Sequence, residues 1–136
     1  MADPARPSYA LSRTVDLSYE EAERRIREEL AVEGFGILTE IDVRATLKKK
    51  LDVDFPEYVI LGACNPQLAH QALQAEPDVG LLLPCNVVVR RDGGRTIVEA
   101  MDPISVLGIA GNEALRPLGD EALERIERAL DRVAAA

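Results

Sequence analysis

The 136-residue chain predicts one α+β domain, an antiparallel or mixed sheet of about five strands with helices mainly on one face. Two observations carry that expectation. Stretches whose apolar residues alternate with period two are interleaved with stretches of helical spacing, most of them opened by a capping residue. The resulting order is strand, helix, strand, short helix, strand, helix, strand, strand, short helix, helix: two strand–helix–strand units in series, then an added strand and a helix. Residues 1–8 read as a flexible tail, and residues 9–136 as the single domain with its C-terminal helix.

Tyr9, Leu11, Val15 and Leu17 share one face of the first strand, a face that Arg13 interrupts. Ser18 and Glu21 form a capping box, followed by the apolar stripe Tyr19, Ala22, Ile26 and Leu30. Glu20–Arg24, Glu21–Arg25 and Glu23–Arg27 are i,i+4 pairs in the favourable order, and Gly34 ends the helix. Phe35, Ile37, Thr39 and Ile41 then alternate as a second strand. Asp42 caps a short helix with Val43, Leu47 and Leu51 along one side and three lysines, Lys48 to Lys50, at its negative end. Tyr58–Ala63 is nearly continuously apolar and reads as a central strand. Asn65 and Pro66 start a helix whose Leu68, Ala69, Ala72 and Leu73 point inward, with Gln67, His70, Gln71 and Gln74 opposite. Leu81–Arg90 is the next strand, interrupted by Pro84; Arg91 to Gly94 is a hairpin turn, and Arg95–Met101 returns. Asp102 and Pro103 open a short helix through Ile109. Asp120 caps the last helix, with Leu123, Ile126, Leu130 and Val133 inward and Arg125 and Arg128 pairing back to Glu121 and Glu124.

Composition narrows the function classes. At 47% hydrophobic and 29% charged, the chain is globular, and its length allows about two-thirds of the unfolded surface to be buried without a disulfide or a metal. Apolar runs such as Gly80–Pro84 fall far short of the roughly 20 residues a membrane helix needs. A net charge of −8 repels phosphate backbones, and no aromatic residues accompany the lysine run, so nucleic acid is not an expected partner. The first seven residues lack the apolar core of a secretion signal, which makes the cytoplasm the expected compartment and leaves Cys64 and Cys85 reduced there.

Three segments carry a family resemblance. Gly34-Phe35-Gly36-Ile37-Leu38-Thr39-Glu40-Ile41-Asp42, Ile60-Leu61-Gly62-Ala63-Cys64-Asn65-Pro66 and Gly80-Leu81-Leu82-Leu83-Pro84-Cys85-Asn86 resemble the bacterial domain-of-unknown-function family numbered 302, from about Thr14 to about Ile109. The resemblance implies a TBP-like α+β fold, a geometric name without DNA binding, and a small homodimer. A ferredoxin-like βαββαβ order is the alternative fold. The resemblance implies no reaction, substrate or cofactor.

The chemistry-bearing candidates are Cys64, Asn65, Cys85 and Asn86. No Lys or Arg occurs from Leu51 to Val89, so no cation adjacent in sequence lowers either thiol's pKa. Cys64 directly precedes the Asn65 cap, at the positive end of a helix, and is the better candidate for a reactive thiol. Cys85 follows Pro84 in an apolar strand; both cysteines also read as small residues filling a core. If the two strands run parallel through a helical crossover, the cysteines stand roughly 10–17 Å apart along the strands, beyond disulfide reach. Two cysteines are too few for a closed tetrahedral metal site in one chain, although a dimer would supply four. His70, the one histidine, falls among glutamines. There is no Ser-His-Asp set, paired-carboxylate signature or HExxH, so a conventional hydrolase finds no support. Three functions remain: a homodimeric module binding a small ligand or soft metal near Cys64, Cys85 and Asn86, a thiol-dependent enzyme or sulfur carrier using Cys64, and a structural or regulatory protein-interaction domain.

Overall fold

Five strands form one fully antiparallel sheet in the computed structural model of the chain, which describes residues 7–136. They are β1 (Ala10–Val15), β2 (Gly36–Asp42), β3 (Tyr58–Cys64), β4 (Cys85–Asp92) and β5 (Arg95–Met101), side by side in the order β1-β5-β4-β3-β2. Helix α1 (Tyr19–Val32) joins β1 to β2 and α2 (Val43–Leu51) joins β2 to β3. Helix α3 (Pro66–Ala75) and a 3-10 segment (Pro77–Leu82) join β3 to β4, while α4 (Pro103–Leu107) and α5 (Arg116–Ala134) follow β5. The expected α+β class with one sheet is therefore observed. The ferredoxin-like alternative is not, because its crossovers need parallel neighbours and every neighbouring pair here is antiparallel. Of the tail expected over residues 1–8, residues 1–6 lie outside the described residues.

Local chemistry sets most boundaries. The Glu21 amide donates to Ser18 Oγ at 3.1 Å at the start of α1. At its end Gly34 takes φ +85°, its amide donating to Ala31 and that of Phe35 to Leu30, the Schellman pattern that satisfies the last carbonyls. Asp42, Asn65 and Asp102 cap α2, α3 and α4 through side-chain oxygens. Gly93 (φ +59°) and Gly94 form the two-residue hairpin between β4 and β5. One side of the sheet, with Val15, Val59, Leu61, Ala63, Val87, Val89 and Val98, packs under Ala22, Ile26 and Leu30 of α1 and Ile126, Ala129, Leu130 and Val133 of α5.

Several expectations are corrected. The β3–β4 pair is antiparallel, not parallel, so the cysteines are neighbours across two strands. The strand expected from Leu81 starts only at Cys85: Leu81 and Leu82 belong to the 3-10 segment, and Pro84 has no amide to give a ladder. In β2 a register shift between Ile37 and Thr39 sends Ile37 to the helix side, opposite Ala63, and Thr39 and Ile41 to the other side, opposite Gly62 and Ile60. Helix α5 begins at Arg116 with Pro117 in its first turn, so Asp120 lies inside it and pairs with Arg116 rather than capping.

The ion pairs also differ. Of the three expected on α1 only Glu23–Arg27 forms; Arg24 turns to Glu28 and Arg25 to Glu29. Arg125 pairs with Glu121 as expected, but Arg128 leaves Glu124 for Glu33. Glu33 is only 6% exposed at the C-terminus of α1, where a carboxylate faces the negative end of the helix dipole. Two α5 arginines compensate: Arg128 Nη2 donates to Oε1 at 2.9 Å and Arg132 Nη2 to Oε2 at 2.8 Å. The hydrogen bond from Arg128, then that from Arg132, holds the carboxyl below its usual range against the opposing effect of burial.

A carboxyl whose folded pKa is depressed contributes stability above its unfolded pKa and loses it as pH falls through the folded value. Glu33→Gln is therefore expected to cost roughly 1–2 kcal/mol at neutral pH, the gap to the native protein narrowing below about pH 4. Urea unfolding of both proteins across pH 3–7 checks this; a gap independent of pH would contradict the role given to Glu33.

Candidate functional site

The site grows from the ends of two antiparallel strands. Strand β3 ends at Cys64, and the next residue, Asn65, leaves the sheet to cap α3, accepting the Leu68 amide at 3.2 Å. Across from it β4 begins at Cys85, opposite Ala63, so Cys64 lies one register step away. Both cysteines are free and half-buried. They line one hollow of about 330 Å³ between this end of the sheet and α3, α4 and α5. Phe35, Leu68, Ala72, Leu107, Leu118 and Ala122 supply apolar wall, and among the described residues no charged side chain lines the space. Asn65 lines it as well.

Gly62 shapes the rim. A Cβ at this position would overlap Thr39 Oγ1 and come within 2.8 Å of Pro84 Cγ. With only hydrogen there, Thr39 and Pro84 meet over β3, and both line the hollow. Burial in this apolar setting, with Cys64 nearby as the smaller contributor, pushes the Cys85 thiol up to about 11. The site can therefore offer an unionised thiol and apolar surface, a setting for binding rather than for a strongly nucleophilic Cys85.

The structure does not bring all four candidates together. Cys64, Asn65 and Cys85 share the hollow, whereas Asn86, next to Cys85 on a pleated strand, points to the opposite side of the sheet. There it lines a shallow groove of about 860 Å³ with Tyr9, Phe55, Tyr58, Arg90 and Glu99. Arg90 donates to Glu99 at 2.8 Å and Ser12 to the same carboxylate at 3.3 Å. His70 is exposed on α3 and lines neither space. Among the described residues no group of three or more His, Cys, Asp or Glu is placed to hold a metal ion. No helix among them is long and apolar enough to cross a membrane. Thr39, Leu107, Leu118 and Ala122 were not legible as site residues. The first depends on the β2 register shift and the others on how α4 and α5 return to the sheet.

Comparison with known proteins sets the chain in context. A family model described as domain of unknown function DUF302 matches residues 11–133. A solved crystal structure of an uncharacterised conserved DUF302 protein from Bacillus stearothermophilus is similar at a TM-score of 0.87 and 32% identity, covering 93% of this chain and 99% of that one. No curated protein matches.

The raised Cys85 thiol has a direct chemical consequence. At pH 8 a thiol near 11 carries about a hundredfold less thiolate than one at the ordinary 9.0. Cys85 in the folded protein is expected to react with iodoacetamide far more slowly than a model thiol, and at the model rate once urea unfolds the chain. Equal rates folded and unfolded would contradict the buried environment.

Proposed function

Because the chain belongs to the DUF302 family, whose name carries no reaction, we propose its function from the site itself: a binding module, without catalysis of its own, for a small apolar molecule held in the thiol-lined hollow. The lining is the observation that carries this reading. It is apolar apart from Thr39, Asn65 and the two thiols, and its volume lies at the small end of the range that ligand pockets occupy. A pocket without charge favours a neutral ligand, since an ion would lose its hydration with nothing to replace it.

A second reading has its own support in the strand register. Two sulfurs one step apart across a ladder suit a soft monovalent ion such as Cu(I), which thiolates select. The module acts as a homodimer in either case. The sheet side facing away from α1 and α5 leaves Ile60, Val88 and Met101 half-buried and Ile41 48% exposed, and a second copy would cover it.

Two measurements test the proposal. A native mass spectrum of protein purified without chelator is expected to show a dimer with a retained small molecule or metal; a bare monomer at micromolar concentration would count against both parts. The neutral dye Nile red is expected to bind the native protein and to bind Ala69→Phe, which narrows the hollow, at least tenfold more weakly at unchanged circular dichroism. Equal affinity for both proteins would place the binding elsewhere.

A further inference from the structure

We propose that Cys64 and Cys85 form an intramolecular dithiol–disulfide couple, oxidised by exchange with a low-molecular-weight disulfide. The couple concerns the hollow described above but rests on strand register rather than on any ligand. With strands about 4.8 Å apart and a rise of about 3.4 Å per residue, one register step separates the two Cα atoms by roughly 6 Å. That separation lies within the span a disulfide bridges. Pleating would ordinarily turn residues 63 and 64 to opposite sides. Cys64 is the last residue of β3, however, next to Asn65 where the chain departs from the sheet, and both cysteines line the same hollow.

The exchange proceeds in two displacements. Cys64, half-buried ahead of the N-terminus of α3, loses its proton to water, and its Sγ attacks one sulfur of the small disulfide, expelling one thiolate. Cys85 then gives up its proton, and its Sγ attacks Cys64 Sγ, expelling the second thiolate. Two S–H bonds and the reagent's S–S bond break, one protein S–S bond forms, and the two electrons end on two small-molecule thiols. The burial that holds the Cys85 proton makes this sulfur a poor leaving group, so the closed bond resists reopening by attack at Cys64.

The test uses the full native chain and oxidised glutathione at pH 8, quenched with iodoacetamide. The expected product, read by denaturing mass spectrometry, is a single chain that has lost two hydrogens and carries neither glutathione nor alkyl groups. Asp-N cleavage ahead of Asp78 separates the two cysteines in sequence, and the fragments holding Cys64 and Cys85 are expected to stay joined until reduced. Cys85→Ser is expected to stop at a persistent Cys64–glutathione adduct. Persistent single adducts on the native chain, disulfides joining only separate chains, or a Cys85→Ser variant that sheds its glutathione as readily as the native protein would each overturn the couple. Nile red binding by a protein in which no bond forms would show that the hollow survives as a ligand site while the redox pairing fails.

Discussion

Period two along β4 is the constraint on which both cavities depend. Cys85, Val87 and Val89 face the helices while Asn86, Val88 and Arg90 face the other way, so one strand lines the hollow on one side and the groove on the other. The pairing of β3 with β4 decides which residues meet, and Gly62 lets that pairing coexist with Thr39 and Pro84 lying over the strand. A slip of one residue would exchange the two sets and put arginine and asparagine under α1 and α5.

The helical layer is held to this sheet by apolar burial and located by charge. Ile26 and Leu30 of α1 and Ile126 and Leu130 of α5 supply nondirectional burial. The arginines of α5 give direction: Arg128 and Arg132 reach Glu33, Arg132 also reaches Glu29, and Arg125 donates to the Glu33 carbonyl at 2.9 Å. Arg13 of β1 donates to Asp131 at 3.0 Å from the sheet side. Because Leu118 and Ala122 sit on the same helix, the charges that seat α5 also place a wall of the hollow.

What was legible in the sequence was chiefly local. Ser18, Asp42, Asn65 and Asp102 cap helices through bonds spanning two or three residues, and a short window contains everything such a bond needs. The family resemblance was legible for a similar reason, since contiguous segments carry it. The direction of β4 was not, because a 3-10 segment and Pro84 between α3 and the strand reverse the chain, while an apolar run reads the same in either sense. Glu124 offers Arg128 a local partner in the sequence, yet the residue it pairs with, Glu33, is 95 positions away. The thiols were found as candidates by residue type, but their shared hollow depends on helices that the motif segments do not include.

The register shift in β2 has a further effect because this strand is at the border of the sheet. An outermost strand exposes unpaired amides and carbonyls to which another extended chain can add. Between Ile37 and Thr39 the ladder loses its even spacing, and beyond it Glu40 and Asp42 put negative charge on the same short segment. An incoming strand could match only half of this border at once. The irregularity that sets Thr39 opposite Gly62 thereby also discourages the stacking of misfolded copies into fibrils.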